Sequence, residues 1–201
     1  MPKYDFDIIV IGGGIAGFAA AGMAAGVGKR VLLIEKDRLG GNCTLRTCMP
    51  TKSLIRSGIV RDILLCANKY GLRYSFGDIN TDNVMPYIRT VIDDVAGIDT
   101  VDSLNKMGIE VVFGSPKFIN NHTIKLGENA ISGDKFIIAT GSRPATLQID
   151  GYADAAYYNN ETIFELEKLP SSVIVVGGGP AGIEFAIALR LLGLDDCCQT
   201  S

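Results

Sequence analysis

Cys43 and Cys48 are separated by four residues in the run Gly40-Gly41-Asn42-Cys43-Thr44-Leu45-Arg46-Thr47-Cys48-Met49-Pro50-Thr51-Lys52. Two thiols this close can cycle between dithiol and disulfide, carrying two electrons at a time. They follow a glycine-rich run, Gly12-Gly13-Gly14-Ile15-Ala16-Gly17, of the type that cradles a dinucleotide pyrophosphate. Either motif alone is weak: a C-x4-C pair can be two unrelated core cysteines, and a lone G-x-G-x-x-G is common. Their order and proximity together imply electrons moving between a bound cofactor and a dithiol.

Geometry constrains the thiol pair. In an ideal helix the Cα atoms of Cys43 and Cys48 would lie about 8 Å apart, from helical rise and radius. A disulfide needs less than about 7 Å. The segment must therefore be distorted or only partly helical if the pair is to bridge, and Pro50 fits a helix that starts near it. Lys52 follows Cys48 by four residues and shares its helix face. It is either a cation beside the thiol or an exposed surface lysine.

The elements that must position these groups follow from hydrophobic patterning. Asp7 to Ile11 is an apolar strand of the kind buried on both faces. The glycines and an alanine-rich helix to about Gly28 come next, then a second buried strand, Arg30 to Glu35. This is a βαβ unit, with an acid roughly twenty residues beyond the first glycine. Glu35 is then a ribose ligand, or otherwise a solvated strand-end acid. A helix is expected from Thr51 to Tyr70, closed by Gly71. Val84 to Leu104 recur apolar every three or four residues, predicting one long amphipathic helix ended by Gly108. Ile109 to Phe113, Phe118 to Leu126 and Lys135 to Ala139 read as short strands. A second strand–glycine–helix unit runs from Val173-Ile174-Val175-Val176 through Gly177-Gly178-Gly179-Pro180-Ala181-Gly182 to about Leu192. Two dinucleotide sites are the natural inference, and no further strand is expected after Leu194.

Bulk properties exclude several classes. A hydrophobic content of 47% argues for a folded core over disorder. The net charge of −3 with no basic block favours neither nucleic acid nor an anionic membrane surface as partner. Ile8 to Val27 is uncharged and long enough to cross a bilayer, but three consecutive glycines suit a strand-to-helix turn better. The five cysteines (43, 48, 66, 197 and 198) form no spaced disulfide framework, which predicts a reducing, cytoplasmic setting. Cys66, among Leu64, Leu65 and Ala67, reads as a core thiol. His122, the sole histidine, falls in an expected hairpin turn facing solvent. No resident metal is expected.

These residues resemble the N-terminal half of the class I pyridine nucleotide-disulfide oxidoreductases, in the branch of mercuric reductase and dihydrolipoamide dehydrogenase. The four matches, in order, are Gly12 to Gly17, Gly40 to Lys52, Ala139-Thr140-Gly141-Ser142-Arg143-Pro144, and Gly177 to Glu184. The resemblance implies an α/β fold: a Rossmann-like FAD-binding domain with a parallel sheet, helices and a small β-meander over residues 1–150. A connector (151–172) and the first βα unit of an NAD(P)-binding domain (173–201) follow. It implies FAD contacts from Gly12, Gly14, Ile15, Ala16, Gly17, Glu35, Lys36, Gly41, Asn42, Cys43, Lys52, Ala139, Thr140 and Gly141. It places NAD or NADP at Gly177, Gly179, Gly182 and Glu184.

In the family's scheme Cys43 is the interchange thiol, Cys48 the flavin-facing thiol, and Lys52 sits by the flavin. Substrates would be a small disulfide or a soft metal ion, and the family is homodimeric. Thr47 stands where the family usually has glycine, so its side chain is expected to crowd the flavin or alter the turn. The rest of the nicotinamide domain and the central and dimerisation domains that follow in the family are expected to be absent, making this a truncated chain of weak activity. Its alternative is a non-catalytic FAD-binding fragment. A single-fingerprint oxidase or monooxygenase relative is disfavoured by the Gly40 to Lys52 run. The Cys197-Cys198 pair resembles the terminal pair of mercuric reductases but is expected to be accidental.

Overall fold

The computed structural model describes residues 3–73, 79–98, 100–145, 149–151 and 154–199. The first elements are β1 (Phe6–Ile11), α1 (Ile15–Gly26), β2 (Val31–Glu35), α2 (Gly41–Leu45), α3 (Cys48–Cys66), α4 (Val84–Ala96) and α5 (Val101–Lys106). They are followed by β3 (Ile109–Phe113), β4 (Lys117–Asn120), β5 (Thr123–Leu126), β6 (Asn129–Ile138), β7 (Ser172–Val176), α6 (Pro180–Leu191) and β8 (Asp195–Gln199). The chain divides into two compact units: residues 1–45 with 94–143, and residues 46–93 with 144–201.

The first unit is a six-stranded sheet in the order β3-β2-β1-β6-β5-β4. Four strands are parallel: β1 pairs with β2 and β6, and β2 with β3. Every residue of β2 is buried, as its unbroken apolar run requires for a strand covered on both faces. Side chains alternate between faces, so two clusters form. Val10, Val31, Leu33 and Ile109 pack with Ala21 and Ala24 of α1 and Leu104 of α5. Ile9, Leu32 and Ile34 pack with Ile124, and Leu126, Ile131 and Phe136 close around them. Truncating one such buried leucine to alanine typically costs about 2–5 kcal/mol.

The meander grows directly out of the parallel sheet. Residues Asn129 to Ser132 of β6 pair antiparallel with β5, while Gly133 to Ile138 pair parallel with β1. The expected Lys135–Ala139 strand is thus the second half of a longer one. The expected Phe118–Leu126 stretch is two strands, with the expected hairpin turn at Asn121-His122 between them. His122 is exposed in that turn, stacked on Tyr4 at 4.9 Å between ring centroids.

One expected helix is also two. The apolar period from Val84 to Leu104 runs across a break: α4 ends at Ala96, Gly97 follows in a turn, and Thr100 starts α5. Thr100 and Ser103 form a reciprocal capping box, each side chain bonded to the other's backbone N–H. Cap chemistry overrides a periodicity that continues through it.

In the second unit α3 packs along α6. Gly58 permits the approach, because a Cβ there would come within 2.7 Å of the Leu191 side chain and 3.1 Å of the Ala188 carbonyl oxygen. Arg61 donates to the Leu191 carbonyl at 3.0 Å, capping the end of α6. The expectation that no strand follows Leu194 is overturned. Asp195–Gln199 pairs parallel with β7 in register from Ser172↔Asp195 to Val176↔Gln199. Asp-Asp-Cys-Cys-Gln is poor strand sequence by propensity, yet a crossover helix returning beside β7 supplies a ladder that any backbone can join. The result is a small βαβ unit.

Candidate functional site

In the first unit the glycine fingerprint forms a tight cradle. Gly12 leaves β1 with φ +113°, and a Cβ there would overlap the Ala139 carbonyl oxygen. A Cβ on Gly17 would overlap the carbonyl oxygen of Gly12, so this glycine lets α1 start directly against the turn. Gly14 is the N-cap of α1 and makes no side-chain cap bond, and no acid lies in the first turn. The helix therefore presents backbone N–H groups and a partial positive charge outward, past exposed Ile15 and Ala16. That is an anion-binding geometry.

Three further segments close on the same turn. Gly40 donates its N–H to the Gly13 carbonyl at 2.8 Å, and Gly41, at φ +59°, approaches Gly14 so closely that a Cβ would lie 2.7 Å from the Gly14 Cα. Ala139 donates to the Ile11 carbonyl, bringing the Ala139-Thr140-Gly141 segment alongside. Asn42 Nδ2 donates to the Ser142 carbonyl at 2.7 Å, tying α2 to that segment. Glu35 is not the solvated acid of the alternative reading: only 8% of it is exposed. Its Oε2 accepts the Gly13 N–H at 2.6 Å and its Oε1 accepts the Asp37 N–H at 2.9 Å. Lys36 is exposed beside it.

The second unit repeats the local cradle. Gly177 has φ +110°, a Cβ on Gly182 would overlap the Gly177 carbonyl oxygen, and Gly179 caps α6 with no side-chain bond and Pro180 at the start. The internal echo seen in the sequence is thus a repeat of backbone conformation. Glu184, one turn further along α6, reaches α3: Lys52 Nζ lies 2.6 Å from its Oε1, and Thr51 Oγ1 donates to its Oε2 at 2.9 Å. The Lys52 bond, above all, holds the Glu184 carboxyl below its ordinary range, against the opposing effect of burial and with help from Thr51.

The two cysteines stand on different elements. Cys43 lies on α2 in the first unit, and Cys48 opens α3 in the second. Both are half-buried. The expected interruption between them is present: α2 ends at Leu45, and Thr47, at φ −135° and ψ −90°, is the N-cap of α3. Thr47 holds a negative φ, outside the left-handed region that favours glycine. Among the described residues no group of three or more His, Cys, Asp or Glu side chains could hold a metal ion. No helix among them is long and apolar enough to cross a membrane.

Residues 6–197 match the family described as pyridine nucleotide-disulphide oxidoreductase. The chain belongs to this family. It is 32% identical to a glutathione reductase of Nostoc over 94% of its length and 41% of the relative's. It is 35% identical to a dihydrolipoyl dehydrogenase of Bacillus subtilis, over 92% and 42% of the two chains. A mercuric reductase of Bacillus cereus is 29% identical, over 95% and 30%. Among solved structures, the HOCl-induced flavoprotein disulfide reductase RclA of Escherichia coli superposes with a TM-score of 0.79 at 26% identity, covering 96% of this chain and 41% of that one. The chain therefore spans less than half the length of these relatives.

Pyridine nucleotide-disulphide oxidoreductases bind FAD and use NAD(P)H. The first-unit cradle fits a dinucleotide: its backbone closes around an uncapped helix N-terminus at positions where any Cβ would intrude. Sequence reasoning missed two participants and the contact made by a third. Thr51 sits inside the Pro-Thr-Lys run, but only the packing of α3 on α6 gives its hydroxyl a carboxylate. Arg46, between the cysteines, pairs with Glu161 at 2.9 Å, a partner 115 residues away that no local pattern signals. Thr47 Oγ1 lies 3.7 Å from Cys48 Sγ.

Proposed function

We propose that this chain is the FAD-binding and dithiol-bearing part of an NAD(P)H-linked disulfide oxidoreductase, acting on a small disulfide or a soft metal ion. The observation that carries this reading is the glycine cradle of the first unit followed by Cys43 on α2 and Cys48 at the start of α3. Bound FAD would supply the two-electron chemistry linking a reduced nicotinamide to a disulfide. In this assignment residues 1–150 serve the flavin, 151–172 connect, and 173–201 begin the nicotinamide-binding part. Family membership and relatives named as glutathione, mercuric and dihydrolipoyl enzymes support it.

The chain's own residues then have defined tasks. The N–H groups of Ile15, Ala16 and Gly17 would hold the pyrophosphate, and Glu35, anchored on Gly13, would accept hydrogen bonds from the adenosine ribose. In the reduced dithiol, the Cys43 thiolate attacks one sulfur of an external disulfide. A mixed disulfide forms, and the departing thiolate takes a proton from solvent. Cys48 then attacks the Cys43 sulfur, closing the Cys43–Cys48 disulfide and releasing the second thiol. Two electrons leave the protein and one external disulfide becomes two thiols. A helix N-terminus beside Cys48 favours the thiolate this needs. A reducing cytoplasm would keep the exchange reversible.

Trapping tests the assignment of the two thiols. The reduced Cys48→Ser variant, given a small aromatic disulfide, should accumulate a mixed disulfide mapped by mass spectrometry to Cys43. The Cys43→Ser variant should accumulate far less at Cys48. Equal trapping at both cysteines, or none at either, would remove the relay.

A further inference from the structure

Thr47 occupies the N-cap of α3, a position where threonine normally accepts a backbone N–H from the first turn. Here it makes no such cap bond. Its hydroxyl lies 3.7 Å from Cys48 Sγ, with the oxygen as donor, a contact glycine cannot make. The rest of the turn holds Thr47 in place: its carbonyl accepts the Thr51 N–H at 2.9 Å and the Thr51 hydroxyl at 2.7 Å. We propose that the Thr47 hydroxyl is a catalytic group that donates a hydrogen bond to the Cys48 sulfur and stabilises its thiolate. A hydrogen bond to the charged form of an acid favours ionisation, and a thiolate is a far better acceptor than a thiol. The role rests on the reading of Cys48 as a redox thiol.

The consequence is a more oxidising pair. Stabilising the reduced, ionised form raises the reduction potential of the Cys43–Cys48 couple and makes Cys48 a better leaving group when the disulfide is attacked. Thr47 puts a hydroxyl donor where a glycine would have none, and its negative φ lies outside the left-handed region that favours glycine. Charged groups bordering this turn are Lys52 on α3, Glu184 on α6 and the Arg46–Glu161 pair. All four stay in place when only Thr47 is changed.

The test is the pH dependence of Cys48 alkylation by iodoacetamide in the fully reduced chain, read on the Cys48 peptide by mass spectrometry. Thr47→Val keeps the shape and loses the hydroxyl; Thr47→Ser keeps the hydroxyl; Thr47→Gly removes the side chain. Val and Gly should each move the midpoint upward by roughly half to one pH unit, slowing alkylation about three- to ten-fold below it. Ser should stay near the parent. A Val midpoint equal to the parent's, or Ser shifting together with Val, would overturn the proposal. The assay uses neither flavin nor nicotinamide. A parent chain that traps no mixed disulfide would therefore sink the functional reading while leaving this hydrogen bond to stand or fall by its own midpoint.

Discussion

Lys52 and Glu184, 132 residues apart in sequence, form a 2.6 Å ion pair that joins α3 to α6. The lysine side chain is 57% exposed and the glutamate 31%, so solvent screens the pair and its contribution to stability is about 1 kcal/mol or less. Its pH signature is nonetheless defined. Glu184 titrates below its ordinary value of 4.5 in the folded chain, chiefly because of Lys52. The stabilisation is therefore complete above the unfolded value and lost as pH falls through the lower folded value. Thermal melts of parent and Glu184→Gln from pH 3 to 7 should show the parent's advantage at neutral pH shrinking below about pH 4.5. A difference that stays constant across that range would assign Glu184 no such linkage.

Glu35 answers for the buried N–H of Gly13. Replacing it with alanine leaves that donor unpaired, at a cost of about 1–3 kcal/mol, and loosens the turn meant to hold the cofactor. Chemical denaturation should register the loss, and FAD titration of Glu35→Ala should show weaker binding than Glu35→Gln, which keeps one acceptor oxygen. Wild-type affinity in the alanine variant would separate Glu35 from the cofactor site.

Two glycines of α1 should respond oppositely to the same substitution. Gly17→Ala drives a methyl into the Gly12 carbonyl, and overpacking of this kind costs about 1–3 kcal/mol or more. Gly26→Ala meets nothing within 4 Å and should leave stability unchanged or improve it by about 0.5–1 kcal/mol. Denaturant midpoints compare the two directly, and equal effects would contradict the cradle geometry.

The βαβ unit of the second half carries exposed apolar side chains: Ile174 and Val176 on β7, Ile183 and Ile187 on α6, from 47% to 68% exposed. Binding of a hydrophobic dye should fall measurably in the double variant Ile174→Thr/Ile187→Gln, with little change in melting temperature. Unchanged dye binding would locate the sticky surface elsewhere.

Much of this architecture is legible in the amino-acid sequence. The βαβ start is strongly encoded, because unbroken apolar strands, a three-glycine turn and an alanine-rich helix each demand the same local conformation. Gly12 and Gly17 take their jobs from spacing alone, since backbone conformation is a local property. The break in the Val84–Leu104 helix is hidden, because Gly97 and the Thr100–Ser103 box interrupt an apolar period that continues on either side of them. β8 escapes a reading of its own residues because its pairing depends on where α6 returns the chain. Contacts such as Arg46–Glu161 and Thr51–Glu184 arise from tertiary packing between residues far apart in the chain, beyond any windowed pattern.

The proposed function requires that this chain hold a flavin and that Cys48 act on it as a thiolate. The direct measurement is the visible spectrum of the FAD-reconstituted chain, oxidised and then after anaerobic reduction with a dithiol, in parent and Cys48→Ser. The flavin band should gain a long-wavelength charge-transfer shoulder in the parent and not in the variant. A flavin band without the shoulder in the parent, or a chain that retains no flavin, would contradict it.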